Sequence, residues 1–431
     1  MKILSKIHYS KIAKNASWLI IGKIIQRLIT LVTTFLTARY LGPNNYGIIG
    51  YISSYTAFFS SLCDLGINGI IVKEYVKRPE KQGKNTFTAL ILKLASSTIT
   101  CTIFVIFMFS MHPNEPEYYI IAILLSLSSI FNSFNVISYW YQSRLESKKE
   151  AFISTFAYII VALYTIIILM LHLSVEWFAL ANSLNTIIAG ILLVIFYFKD
   201  KGQKWKFSFR EAKNLLKQSY HLILSGILVS IFAQTDKIMI GNFMTQSDVG
   251  YYAVAVTLSG AISFLPSAII DSLRPVIMDK KNKNEQEFVA RTKQLYAIII
   301  WISIAYSVFI TIFADFIVSI IYGQDYLPAI PALKIAVWYC SFSYLGSAKN
   351  VWLIAQNKQK YEKWFTLIGA GLNIVLNFLL IPKIGISGAA IATLITQAVA
   401  NFLAPFIFKD TRDSSKYMLE ALNIHKLLRK K

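Results

Sequence analysis

Acidic side chains are scarce in this chain: 22 aspartates and glutamates stand against 43 lysines and arginines, leaving a formal net charge of +21. Cysteine is scarcer still. Cys63, Cys101 and Cys340 all sit inside apolar runs, so neither a disulfide framework nor a zinc cluster can be built from their spacing. The five histidines (His8, His112, His172, His221 and His425) are scattered without HExxH or any other ligand spacing, so no metal site is expected. A GxxxxGK[ST] phosphate loop is also missing, which removes the usual signature of a nucleotide-driven pump. No cofactor is expected, and no long loop carries the paired carboxylates that a membrane glycosyltransferase or polymerase would need.

What the chain has in excess is apolar sequence, 55% of residues against 15% charged, with a mean hydropathy of +0.53. That is too apolar for a water-soluble fold, and the expected class is an all-α integral membrane protein. Runs of spanning length fall at 16–38, 46–72, 87–111, 117–141, 151–172 and 176–198, then at 217–240, 249–273, 294–318, 330–355, 364–381 and 385–408. These make about twelve transmembrane helices. Most lysines and arginines fall at the termini and in alternate loops, so both termini are expected in the cytoplasm. The excess positive charge is thereby explained without any nucleic acid. The N-terminus, MKILSKIHYSKIAKNAS, runs into a full-length span without a small-residue cleavage site, so no cleaved signal peptide is expected.

The basic loop 199–216 separates six runs from six, giving an N-terminal lobe 1–198, a C-terminal lobe 217–409 and a basic amphipathic tail 410–431. The tail, SSKYMLEALNIHKLLRKK, reads as a segment lying on anionic lipid of the inner leaflet. Two weak internal likenesses fall at matching places in the halves. LGPNNYGIIGYISSY after the first run parallels NFMTQSDVGYYAVAVTLS after the seventh, setting Tyr46-Gly47 opposite Val249-Gly250, and YQSRLESKKEAF parallels AQNKQKYEKWF. Two six-helix lobes repeated in parallel are related by a pseudo-two-fold axis along the membrane normal and are expected to enclose a central cavity.

The stretch Trp18 to Pro43 carries Lys23 and Arg27, four residues apart and so on one helical face. Arg27 lies roughly 13 Å along the helix from Trp18, near the middle of a hydrocarbon layer about 30 Å thick. A cation at that depth costs about 2.5–3.5 kcal/mol on insertion scales, so it calls for a function or a partner. Lys23 can snorkel to the nearer surface; Arg27 is too deep for that and reads first as a cavity-facing site for an anion, with a structural ion pair as the alternative. Lys349 in the tenth run joins Lys23 and Arg27 as a candidate to bind the anionic group of a substrate, with Arg39 marking the outer mouth. Lys93 and Lys334 lie close enough to their span ends to snorkel, and Arg274 beside Asp271 reads as a structural pair. Among the few acids in spans, Asp64 and Asp236 are candidates for a proton or sodium site. A local ion pair with Lys237 competes for Asp236. Intramembrane asparagines such as Asn132, Asn135, Asn182, Asn373 and Asn377 either bind sugar hydroxyls or join helices, and Tyr139, Trp140, Trp338 and Trp352 either stack on sugars or belong to the aromatic belt. Pro266 and Pro405 are expected to kink their helices.

Three stretches carry a resemblance to a known family: NASWLIIGKIIQRLITLVTTFLTARYLGPNNYG, QTDKIMIGNFM and IAQNKQKYEKWFTLIGAGLNIVLNFLLIPKIGISGAAIAT. The chain resembles bacterial O-antigen flippases of the Wzx type, in the superfamily that also holds multidrug exporters of the MATE fold and peptidoglycan-precursor flippases. The resemblance implies a monomeric transporter, not an enzyme, in the bacterial cytoplasmic membrane. It implies movement of undecaprenyl-diphosphate-linked oligosaccharide to the outer leaflet, driven by a proton or sodium gradient, in contact with membrane lipids and with a polysaccharide polymerase or assembly proteins. A drug exporter of the same fold is the alternative. Such an exporter of organic cations would favour buried carboxylates, whereas the deepest ionisable pair here is Lys23 and Arg27.

Overall fold

The computed structural model describes residues 2–423, without the side chains of residues 2–17, 19, 20 and 282; the end of the expected tail, 424–431, lies outside the described residues. The described residues form helices and contain no strand. The helices are α1 (Lys2–Cys63), α2 (Asn68–Lys77), α3 (Gln82–Met111), α4 (Pro116–Phe131), α5 (Val136–Ser143), α6 (Ser147–Met170), α7 (Val175–Lys199) and α8 (Phe209–Phe243). They continue as α9 (Gln246–Ser259), α10 (Phe264–Lys283), α11 (Glu285–Ile321), α12 (Ile330–Ala355), α13 (Glu362–Ala398), α14 (Ala404–Ile407) and α15 (Arg412–Ala421).

Among the described residues, nine helical stretches are long and apolar enough to cross a membrane. The expected twelve runs map onto them because Ile21–Lys77 holds the first two and Gln359–Ile407 the last two, while the tenth is α12, which carries Lys334 and Lys349. Within α1 the break falls at Gly42, at φ 69 and ψ 173, followed by Pro43. Glycine reaches this backbone region without strain, and the proline that follows has no N–H to donate. Ile384 and Gly385 break α13 in the same way after Pro382. A third interruption, Asp64 to Ile67, separates α1 from α2 and places Leu65 at φ 49 and Gly66 at φ 64. The outward faces are unsuited to water: Ile99, Ile103 and Ile106 on α3 are 62%, 54% and 60% exposed, at helical spacing.

The chain forms two compact units, Met1–Leu41 with Tyr51–Ser230, and Gly42–Gly50 with Ile231–Lys431. The division falls inside α8 rather than in the 199–216 linker, because the start of α8 is tied to the first unit. Gln218 donates to Glu74, Lys81 pairs with Glu211 at 2.9 Å, and Gly66 lies against the backbone of Ser219. The core of the first unit gathers Ile71, Tyr75, Ile137, Trp140, Tyr197 and Leu215. In the second, Phe288, Leu295, Tyr296, Trp352, Phe365 and Met418 belong to one buried cluster.

The tail helix α15 packs one face against protein. Its buried face, Ser414, Ser415, Met418 and Ala421, packs within the second unit, where Tyr296 and Ser414 share a 2.9 Å hydrogen bond and Ser415 donates to the Phe402 carbonyl at 2.7 Å. Small side chains on that face permit the close approach, and an ion pair of Lys293 with Glu420 fastens its end.

Candidate functional site

In the first unit, α1 and α6 run side by side in parallel register. A Cβ on Gly22 would touch that of Ala151 at 3.1 Å, and Gln26 donates to Thr155 at 3.1 Å one turn later. Trp18 receives the Lys148 ammonium over its ring at 5.0 Å. This register sets Lys23 within electrostatic reach of Glu150, and Arg27 within reach of Tyr158. Lys23 is exposed and Arg27 half-buried, so the two sequence-selected cations share one accessible face of this helix pair. Arg39 is exposed at the end of the same stretch.

The interruption after α1 builds a second polar group. Asp64 forms an ion pair with the Lys93 ammonium at 2.7 Å, and Lys93 donates to Asn68 at 3.0 Å. Lys93 does not snorkel: its side chain is only 1% exposed, whereas that of Asp64 is 31% exposed. The reason is that the helix break turns Asp64 and Asn68 toward α3, and a buried ammonium with two oxygen partners is far less costly than an unpaired one. Tyr139 lies within electrostatic reach of both Asp64 and Glu150. Lys334, by contrast, stays at the surface, 2.8 Å from Asp315, and Arg274 pairs with Asp271 at 3.2 Å as expected.

In the second unit Asp236 is buried, and its carboxylate collects donors from α9 and from α13 on both sides of its break. Asn373 and Asn377 donate to Oδ1 at 3.1 and 2.8 Å, while Thr393 (2.6 Å) and Tyr252 donate to Oδ2. The carbonyl oxygens of Asn373 and Asn377 are themselves buried and accept no hydrogen bond among the described residues. Asn373 and Asn377, one helical turn apart on α13, thus serve this carboxylate rather than a surface that could meet sugars. A carboxylate, two amide oxygens and two hydroxyls in one buried place suit a proton or a small hard cation. No cluster of histidine, cysteine and acidic residues suited to a transition metal occurs among the described residues.

Lys349 is fully buried in the same unit. Its ammonium lies 3.4 Å from Glu362, donates to the Ala400 carbonyl at 3.3 Å, and sits 4.5 Å from the centre of the Phe365 ring. The carbonyl comes from a π-helical turn, Val399–Leu403, just before Pro405. Neither Trp140 nor Trp352 offers a sugar platform, because each is 1% exposed; Trp140 donates to Gln82 at 3.0 Å. The Asp64–Lys93 pair and the Tyr252 and Thr393 hydroxyls went unread in the sequence. The sign of the second group in the sequence is Asp236 itself, a rare acid inside an apolar run.

Comparison with known proteins places the chain in context. It is 24% identical to a putative O-antigen transporter of Escherichia coli strain K12, over 90% of this chain and 95% of that one. It is 22% identical to a capsular polysaccharide biosynthesis protein, CapF, of Staphylococcus aureus, over 92% and 99%. A probable low-salt glycan biosynthesis flippase, Agl15, of Haloferax volcanii is 28% identical over 46% of this chain and 44% of that one. Among solved structures the fold is similar to the lipid II flippase MurJ in an inward closed conformation, with TM-score 0.69, 16% identity and coverage of 95% and 92%. It is also similar to an inward-facing multidrug transporter of the MATE family, with TM-score 0.66, 14% identity and coverage of 92% and 95%. Residues 12–281 match the family described as polysaccharide biosynthesis protein, and to that family this chain belongs.

Proposed function

We propose that this chain is a flippase, a transporter rather than an enzyme, that moves an undecaprenyl-diphosphate-linked oligosaccharide from the inner to the outer leaflet of the bacterial cytoplasmic membrane by ion-coupled alternating access. The observation that carries the reading is the accessible α1 face bearing Lys23 and Arg27, joined to membership in a polysaccharide biosynthesis family. A lipid-linked sugar has one obligatory charged group, its diphosphate. Passing it through a low-dielectric layer requires cations that bind without holding too tightly. Arg27, Lys23 and Arg39 take that role. The Asp236 group, and secondarily Asp64 with Lys93, take the coupling proton or sodium ion. Lys349 is assigned to structure, since its charge is already met by Glu362. Both termini and the 199–216 loop belong on the cytoplasmic side. The protein acts as a monomer that hands its product to a polymerase or assembly protein. The multidrug transporters share the fold alone, and the carbohydrate-named relatives favour the glycan cargo.

Export of lipid-linked repeat units in cells carrying Arg27→Ala tests the assignment, with membrane accumulation measured alongside. Export should fall at least tenfold at unchanged accumulation, and Arg27→Lys should recover it in part, keeping a point charge but losing the bidentate fork. Normal export by the alanine variant, or loss explained wholly by lost accumulation, overturns it.

A further inference from the structure

The cationic face of α1 has a carboxylate built against it that the transport reading does not use. Glu150 stands at the first turn of α6, next to Ala151, whose contact with Gly22 fixes the register of the two helices. The Gln26–Thr155 hydrogen bond fixes it again one turn on. Glu150 is therefore held within electrostatic reach of Lys23, and the Gln142 amide, 3.5 Å from Glu150 Oε2, steadies it from α5. Around this place stand the cations Lys23, Arg27 and Lys93 and the carboxylates Glu150 and Asp64, with Tyr139 near both acids. Lys93 is already committed to Asp64, so among these cations Lys23 is the one that Glu150 can share with a ligand.

We infer that Glu150 is a positioning residue that competes with the anionic head group for Lys23, keeping the affinity of the cationic face low enough for release. The inference rests on the diphosphate reading above and deepens it. A doubly charged head group between two cations in a low-dielectric setting would be gripped strongly. A resident carboxylate offsets part of that attraction before the ligand arrives and takes Lys23 back as it leaves. A transporter needs this balance, because binding must allow both entry and exit.

The experiment is a double-mutant cycle on the full-length protein in lipid nanodiscs, with farnesyl diphosphate as the probe and calorimetry as the readout. Glu150→Gln should bind about tenfold more tightly than wild type, and Glu150→Asp should stay close to wild type. In a Lys23→Gln background the Glu150→Gln change should no longer tighten binding, which a merely structural residue would not reproduce. Inorganic pyrophosphate and phosphatidylglycerol serve as competitors, and neither should displace the probe at equal concentration. Displacement by phosphatidylglycerol would make the face a general lipid-headgroup site and overturn the proposal. Unchanged or weaker binding by Glu150→Gln, at a melting temperature equal to wild type, overturns the role of Glu150 alone, as does full tightening in the Lys23→Gln background. Absence of binding in wild type and Glu150→Gln alike overturns the diphosphate reading and this inference with it.

Discussion

Gly47 and Gly250 pack backbone against backbone: a Cβ on Gly47 would fall 1.7 Å from the Gln246 carbonyl oxygen, and one on Gly250 would fall 2.1 Å from that of Pro43. The segment Gly42–Gly50 belongs to the second compact unit through this contact, although the chain before and after it belongs to the first. A capping box between Thr245 and Asp248 sets the start of α9, so the backbone that Gly47 meets has little room to retreat.

Gly47→Ala and Gly250→Ala should therefore each destabilise the protein by about 1–3 kcal/mol, the usual range for forced overpacking. The controls are Gly226→Ala and Gly371→Ala, where an added Cβ meets nothing within 4 Å. These sit in helices, where alanine is favoured over glycine by about 1 kcal/mol, and should melt at or above wild type. Thermal melts of the four variants in nanodiscs decide it; a Gly250→Ala melt matching the controls would mean that the contact is looser than described.

The Lys349–Glu362 pair predicts an asymmetry. Lys349 is fully buried, whereas the Glu362 side chain is 33% exposed. Removing the acid with Glu362→Gln strands an ammonium in the core, which costs about 3–5 kcal/mol. Lys349→Met removes the buried charge and leaves a glutamate whose side chain is partly exposed, though its Oε2 is buried, so it should cost less. Melting temperatures of the two variants test the order, and a reversal would show that Glu362, not Lys349, is the member that needs its partner.

The apolar runs were legible because spanning length and loop charge are local properties of sequence. Even the likeness of Tyr46-Gly47 to Val249-Gly250 was visible, though only as a repeat. That the two glycines touch depends on how distant segments pack, which no window of sequence contains. The same reason hid the fate of Lys93: its depth in the third run suggested snorkelling, and only the break at Leu65 and Gly66 brings Asp64 and Asn68 to it. Asp236 was singled out as a rare intramembrane acid, but its four donors come from positions 252, 373, 377 and 393. Arg27 and Lys23 were readable together because their spacing lies within one helix.

Asp236→Asn should abolish coupling while leaving the fold in place. An amide keeps the shape of the side chain but cannot bind a proton or balance a cation, and one of its ends becomes a donor facing the donors of Asn373, Asn377 and Thr393. Substrate export in sealed vesicles should fall at least tenfold and lose its response to proton or sodium gradients, with the protein still accumulating. Gradient-responsive export by the variant would move the coupling site elsewhere, with Asp64 as the next candidate.

Asp200 gives the expected pH response, since it lies just past the end of α7 in the loop region. Burial alone would raise its carboxyl. The Lys149 ammonium at 2.8 Å, the Tyr141 hydroxyl at 2.8 Å and the charge of Arg144 outweigh that and hold it below the ordinary aspartate range. A group whose folded value is depressed stabilises the fold fully above its unfolded value, about 3.9, and loses that contribution as pH falls through the folded value. The melting temperature should therefore be insensitive to this group from neutrality down to about pH 5 and should drop in the acid range below about 4. Asp200→Asn should lower stability at neutral pH by at most about 1 kcal/mol, because Lys149 is 43% exposed and its pairing is screened. The same variant should show a shallower acid slope than wild type, since one of the carboxylates that must be protonated is gone. Melts of both proteins across pH 3 to 7 give the answer, and parallel curves for the two would remove Asp200 from the account of acid stability.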